Sequence, residues 1–300
     1  MTPVPTNPIL VTALQTTLPR MDRDELLAAG DRNLAATMRL YAATAPGASL
    51  EDDGRLLLYS TSATWPGPYH NGAIRLDPTL APAEVLSRAG TFFASRPGYC
   101  VWIAAHADAD LERHALDAGY ASISATGTPR LVLDHRLDPA GVADVASRAG
   151  AEVVLAEVTD EGARLDYLAL TVDAFADSFL PRDAALAQLA TMDAVRGPDV
   201  RAVVARRGGR AVAGAMVVAS GTVAGLQLVG TVPGARGRGL GELCTRWAVA
   251  AGFELGAQAI VLEASEAGEP LYLRLGFVEL SRYRWCFGPP ASPHREERHD

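Results

Sequence analysis

The segment Leu226-Gln227-Leu228-Val229-Gly230-Thr231-Val232-Pro233-Gly234-Ala235-Arg236-Gly237-Arg238-Gly239-Leu240-Gly241 constrains this chain more than any other. It reads as a strand, a glycine-rich turn and the start of a helix. Backbone N–H groups in so bare a turn converge on an anion, and the first helical turn adds unpaired donors and the positive end of its dipole. The segment therefore predicts a site for a diphosphate held by main chain. Glycines alternating as G-x-G-x-G also admit a dinucleotide-binding reading, with Glu263 at the end of the next strand as the ribose-binding acid. Such a turn sits in the first strand-helix unit of a dinucleotide fold. Here an antiparallel meander precedes it and only one further strand-helix unit follows, which disfavours that reading. A P-loop is excluded, because no Gly-Lys-Ser/Thr follows the glycines.

Apolar periodicity organises the rest. In the first half it predicts a helix over 22–41, strands over 55–59 and 73–76, a helix over 82–95, a strand over 99–105, a helix over 111–118 closed by Gly119, and a strand over 130–133. A bridge over 140–150 leads to the second half. There a strand over 153–158 is followed by helices over 164–176 and 184–192. Strands over 201–206, 211–219 and 226–229 turn at Gly208, Gly209 and Gly221. A helix over 239–255, a strand over 259–263, a helix over 269–275 and a strand over 278–287 complete the pattern. The proline-rich tail 289–300 is expected to be disordered.

Displaced by 157 positions, the chain echoes itself: Gly119-Tyr120 falls on Gly276-Phe277, and Pro82 falls on Gly239. The echo predicts two similar halves, with domains over 1–145 and 146–288. The first half has Asp77-Pro78-Thr79-Leu80-Ala81-Pro82 where the second has its glycines, and Ala115 where the second has Tyr272. It is therefore expected to be non-catalytic.

Composition narrows the partners. The net charge of -8, without a basic block, argues against a nucleic-acid partner and mildly favours cationic substrates. Cys100, Cys244 and Cys286 are widely spaced and form no C-x-x-C pair, so no disulfide framework or thiolate metal site is expected. His70, His106, His114 and His135 lack metal-ligand spacing, and no metal is expected. No apolar run approaches the ~20 residues that span a bilayer, and the N-terminus lacks a signal-peptide core. A soluble cytoplasmic protein with no membrane partner is the expectation.

Arg236-Gly237-Arg238-Gly239-Leu240-Gly241 resembles the acetyl-CoA signature R/Q-x-x-G-x-G/A of the GNAT superfamily of acyl-CoA N-acyltransferases. Downstream, Leu262-Glu263-Ala264-Ser265 and Leu271-Tyr272-Leu273-Arg274-Leu275-Gly276-Phe277 look like that family's strand end and its L-Y-x-x-x-G-F helix. The resemblance covers residues 151–287, and the first half only as a degenerate copy. It implies an α+β fold with a mixed sheet, as two tandem GNAT-like folds. It also implies acetyl-CoA as cosubstrate and a small-molecule or peptide amine as acceptor, attacked directly and without a covalent enzyme intermediate. The strands carrying Val229 and Glu263 would part, so that the pantetheine pairs with backbone near Val229, Gly230 and Thr231. The diphosphate would lie on Gly237, Gly239, Leu240 and Gly241, with Arg236 and Arg238 either clamping phosphate or solvated. Tyr272 would be the general acid for the departing thiolate, because a phenol of ordinary pKa near 10 stays protonated at neutral pH. Glu263, Glu266 or a water chain would be the base. Ser265 stands where many members have asparagine. The alternative function is an acyl-CoA-binding sensor without useful chemistry. Cys244, inside a helix, is expected to pack rather than react.

Overall fold

The computed structural model describes residues 21–45, 47–61, 67–96, 98–150, 152–176, 195 and 197–288. The helix expected over 184–192 and the tail 289–300 lie outside them. The chain forms two compact units, one of residues 1–46 and 128–281, the other of residues 47–127 and 282–300.

The first unit carries the glycine turn. Its sheet runs in the order β6 (Thr128–Leu133), β11 (Ala259–Glu263), β10 (Val223–Thr231), β9 (Arg210–Ser220), β8 (Val200–Arg207), β7 (Val153–Glu157). Only β10 and β11 are parallel. Gly208 and Gly209 make the two-residue turn between β8 and β9 at φ 57° and 80°, a conformation that twists as the flanking strands do.

Side-chain alternation assigns the two faces. Ala224, Leu226, Ile260 and Leu262 join one core with α4 (Ala140–Ala149), α6 (Leu240–Glu254) and α7 (Glu269–Arg274). Val223, Ala259 and Val261, on the opposite face, pack against Leu26, Leu27 and Ala29 of α1 (Arg23–Thr44). Gly214 alternates with Ala213 and Ala215 of the first core, and a Cβ there would meet the ring of Tyr167 at 2.9 Å. Hence α5 (Glu161–Phe175), which carries Tyr167, lies on the same face as α1.

A capping box fixes the start of α1, with Asp22 accepting from Glu25 N and Glu25 accepting from Asp22 N. Asn33 Nδ2 donates to Val218 O of β9 at 2.9 Å. Arg130 of β6, fully buried, pairs with Asp31 of α1 at 2.8 Å and with Glu263 of β11 at 2.6 Å. One guanidinium thus ties α1 to two strands.

The second unit orders its strands β1 (Ser49–Asp52), β2 (Leu56–Ser60), β3 (Asn71–Arg75), β4 (Cys100–Ala104) and the later part of β12 (Val278–Phe287), with β5 (Ala121–Ser122) also beside β12. Helices α2 (Pro82–Phe92) and α3 (Ala109–Asp117) complete its elements. Leu56, Leu58, Ala73, Val101 and Ile103 form a core with Val85, Ala89, Leu111 and Ala115 from those helices. On the other parity, Trp102 donates Nε1 to Tyr59 Oη at 2.8 Å and meets the rings of Tyr69, Tyr283 and Trp285 edge-on. His70 is 2% exposed, with Nδ1 3.4 Å from Thr61 Oγ1, and burial pushes its pKa down to about 4.

These units do not follow the boundary expected between 145 and 146. Strand β6 of the first half pairs with β11 of the second, and Tyr283–Phe287 pair with β4 of the first. Periodicity identifies a strand but not the sheet it joins. The bridge expected over 140–150 is the helix α4, whose Val145 and Ala149 are buried against α6.

Replacing Arg130 by Ala leaves the Glu263 carboxylate, 4% exposed, without its cation and is expected to cost about 3–5 kcal/mol, read from the denaturant midpoint. His70 gives a pH dependence of definite sign. Its folded pKa lies below the ordinary 6.5, so between pH 6.5 and about 4 the unfolded chain takes up a proton that the folded one does not. Stability therefore falls as the pH drops through that window, by about 3 kcal/mol at its end. The slope of stability against pH is expected to flatten in His70→Gln.

Candidate acyl-transfer site

Strands β10 and β11 begin side by side and then part. They pair at Val223–Ala259, Ala224–Ile260 and Gly225–Val261, although β10 continues to Thr231 and β11 to Glu263. Beyond Gly225, β10 keeps β9 as its ladder partner, while Leu262 and Glu263 keep β6. The backbone of Leu226–Thr231 thus presents an open edge towards a cleft.

The cause is local. Leu228 has φ 47°, the left-handed region, and the register against β9 breaks between Gln227 and Gly230. Holding a non-glycine residue there costs about 1–3 kcal/mol unless neighbours enforce it. The Tyr167 hydroxyl donates to Leu228 O at 3.3 Å. In a planar trans peptide C=O and N–H point opposite ways, so the Val229 N–H is turned away from Tyr167. Gly230 is required by close approach, since a Cβ there would lie 2.8 Å from Ala174 Cβ of α5.

Past Thr231 the chain makes a 3-10 turn at Pro233–Ala235, then passes Gly237 at φ 76° and Gly239 at φ 77° into α6. Gly239 is the N-cap, without a side-chain cap, and the first helical hydrogen bond runs from Leu243 N to Gly239 O. The N–H groups of Leu240, Gly241 and Glu242 are therefore free for an anion. A Cβ on Gly239 would meet Val145 Cγ1 at 3.3 Å, so α4 backs the turn. A Cβ on Gly241 would lie 3.4 Å from Thr231 Oγ1 and 4.0 Å from Leu271 Cδ2, which places α7 beside the start of α6.

The charged groups divide. Arg236 donates Nε to Thr231 O and Nη2 to Ala174 O, so it braces the turn against the end of α5. Arg238 is exposed. Glu242 lies between Arg148 of α4 at 3.3 Å and Arg246 at 3.1 Å, leaving the cations in excess near the helix start. Sequence reasoning missed Arg148 and Tyr167; the stripe of Val142, Val145 and Ala149 was the legible sign of the helix that carries Arg148.

Tyr272 is 8% exposed, its ring edge-on to Phe277 at 5.7 Å, and burial raises its pKa above the ordinary phenol value. No described group pairs with its hydroxyl. Ser265 Oγ accepts from Gly268 N at 3.2 Å, so this serine caps the turn leading into α7. Glu263 Oε1 accepts from Arg130 Nε at 2.9 Å and Nη2 at 2.6 Å. That oxygen is committed to an ion pair, so only Oε2 is open to another partner. Burial pushes the Cys244 thiol up to about 12, as befits a packing residue. Among the described residues no group of three His, Cys, Asp or Glu side chains could hold a metal.

Among its described residues the first half shows no such parting of strands. Its β3 and β4 stay paired to Ile74–Trp102. Arg75, which the displacement of 157 lays on Val232, is bound by Asp108 at 2.8 Å and Asp110 at 2.6 Å, with Leu80 O at 3.2 Å.

Residues 166–277 match the model of the acetyltransferase (GNAT) family. No curated protein matches the chain. Among solved structures it is similar to a GCN5-related N-acetyltransferase from Kribbella flavida, with 22% identity and TM-score 0.61 over 88% of this chain and 96% of that one. It is also similar to a GCN5-related N-acetyltransferase from Sphaerobacter thermophilus, with 14% identity and TM-score 0.54 over 92% and 95%. A tandem GNAT protein from the clavulanic acid biosynthesis pathway aligns with 16% identity and TM-score 0.52 over 91% of this chain and 98% of that one. The parted strands, the glycine turn and Tyr272 all fall within the segment that matches the GNAT family model, and the chain has the fold of GCN5-related N-acetyltransferases.

Proposed function

We propose that this protein transfers an acetyl group from acetyl-CoA to a primary amine by direct attack, and that it does so in the cytoplasm. The open edge of β10, running straight into a helix start with unpaired N–H groups, is the observation that carries this reading. Such a groove fits a long ligand with an amide-bearing arm and a diphosphate. Acetyl-CoA supplies the activated acyl thioester; everything else is binding, orientation and proton movement by the chain.

Val229, Gly230 and Thr231 offer backbone groups to the pantetheine, and the Val229 N–H, turned from Tyr167, is the donor assigned to the thioester carbonyl. Gly237, Gly239, Leu240 and Gly241 take the diphosphate on main chain, with Arg238 as the adjacent cation. Tyr272 donates its proton to the departing thiolate; burial keeps its phenol protonated at neutral pH, which suits an acid. Glu263 Oε2 or a bound water receives the proton of the amine. The acceptor is a small molecule or a peptide amine. Among the described residues of the second unit this machinery has no counterpart, and the buried Arg75 cluster supports a purely structural role for it.

Gly241→Asp tests the diphosphate site without disturbing the fold, since its Cβ would make ordinary contacts and a carboxylate in the first turn favours the helix dipole. Acetyl-CoA affinity measured by calorimetry is expected to drop by at least about tenfold, with no loss of melting temperature. Undiminished affinity would remove the site from where it is placed here.

Tyr272→Phe is expected to lower kcat by about 10²–10⁴ with acetyl-CoA affinity retained, measured as thiol release across a panel of amines. If the unaltered protein binds acetyl-CoA but acetylates nothing, the binding-sensor alternative replaces transfer.

A further inference from the structure

Helix α1 places polar side chains above the cleft. Leu26, Leu27 and Ala29 pack at Val223, Ala259 and Val261, where β10 and β11 are still paired. One turn on, Asn33 lies over Gly225, the last paired residue of β10; a Cβ on that glycine would be 2.1 Å from Asn33 Oδ1. Thr37 and Tyr41 follow at four-residue steps on the same helical face, ~6 and ~12 Å further along the axis. Strand β10 covers that same distance between Gly225 and Val229, at ~3.3 Å per residue. The two side chains thus travel with β10 into the region where the strands have parted. The Tyr41 phenol lies within electrostatic reach of Glu263 and of Tyr167, the residue that holds Leu228, which agrees with that placement.

Two features there point to a ligand. The hydroxyls of Thr37 and Tyr41 are buried, at 0% and 2% exposure, and neither has a hydrogen-bond partner. A buried hydroxyl left unpaired costs about 1–3 kcal/mol, so a pair of them on one helical face asks for a polar occupant. Glu263 lies on the same sheet face, Oε1 held by Arg130 and Oε2 without a donor. Glu263 and Asp31 flank the one guanidinium of Arg130, so these three groups carry a net negative charge. Oxygen acceptors and negative charge together suit an ammonium.

We propose that Thr37 and Tyr41 of α1 form the acceptor wall of the transfer site, holding the ammonium of a small hydroxyl-bearing primary amine between the Tyr41 hydroxyl and Glu263 Oε2, while Thr37 takes the neighbouring hydroxyl. This rests on the transferase reading above and names its acceptor class. The first helix of the chain thereby chooses the substrate for a reaction carried out by the second half.

The test uses the full chain, with 2-aminoethanol and n-propylamine as matched probes, and the variants Tyr41→Phe and Thr37→Val. Tyr41→Phe is expected to raise KM for both amines about tenfold, the loss of one hydrogen bond to a charged group, while acetyl-CoA affinity shifts by less than about twofold. Thr37→Val is expected to raise KM for 2-aminoethanol and leave n-propylamine unchanged. Neither variant removes a satisfied hydrogen bond, so both are expected to melt no lower than the parent. Saturation-transfer NMR of the same amines in the presence of CoA reads binding without turnover. An amine signal that weakens in Tyr41→Phe while no acetylation occurs keeps the acceptor wall and refutes the transferase reading. The proposal is overturned if KM is indifferent to Tyr41→Phe, if Thr37→Val affects both amines alike, or if the parent protein binds neither amine.

Discussion

The parting of β10 from β11 after Gly225 and Val261 is the constraint on which the site depends. Two parallel strands pair by default, because an unpaired edge leaves backbone groups without partners. Here the separation is enforced from both sides. Leu228 is held in a left-handed conformation with its carbonyl on Tyr167, while Leu262 and Glu263 are kept on β6. The backbone strain and the open edge are coupled, and both are stabilised by groups outside the cleft. A ligand with amide groups then completes a ladder that the strands themselves leave unfinished.

A second consequence concerns how the unit is assembled. The face of β10 and β11 opposite α6 is covered by α1, and the strand beside β11 on its other side is β6, from the end of the first half. Arg130 joins both to Glu263. The reacting half is therefore completed by parts of its neighbour in sequence, and the polar residues on α1 stand over the cleft for the same reason that its apolar residues stand over the paired strands. Arg130 and Asn33 fix α1 on the sheet through Asp31 and Val218 O.

The second unit repeats the order of elements with different residues at the corresponding positions. Proline stands where the other half has Gly239, alanine where it has Tyr272, and Arg75 is locked by two aspartates at the end of β3. At the candidate site, by contrast, the N–H groups at the start of α6 have no helical partner.

Much of this was legible in the order of residues. The glycine turn, the helix it leads into, Tyr272 and the meander before them are local patterns, and local conformation follows from residue type: glycine admits φ near 76° at Gly237 and Gly239, and apolar alternation marks the strands. The helix α4 was equally local and was missed, because its stripe was read as a connection. What the order of residues could not contain is which distant segments meet. That β6 joins β11, that Arg236 reaches Ala174, that Glu263 is engaged by Arg130, and that Tyr41 lies within electrostatic reach of Glu263 and Tyr167 all depend on chain reversals tens to hundreds of residues long. Periodicity has a range of a few residues, whereas a site is made by packing; the sequence determined the pieces and their chemistry, and only the tertiary structure decided which of them face one another.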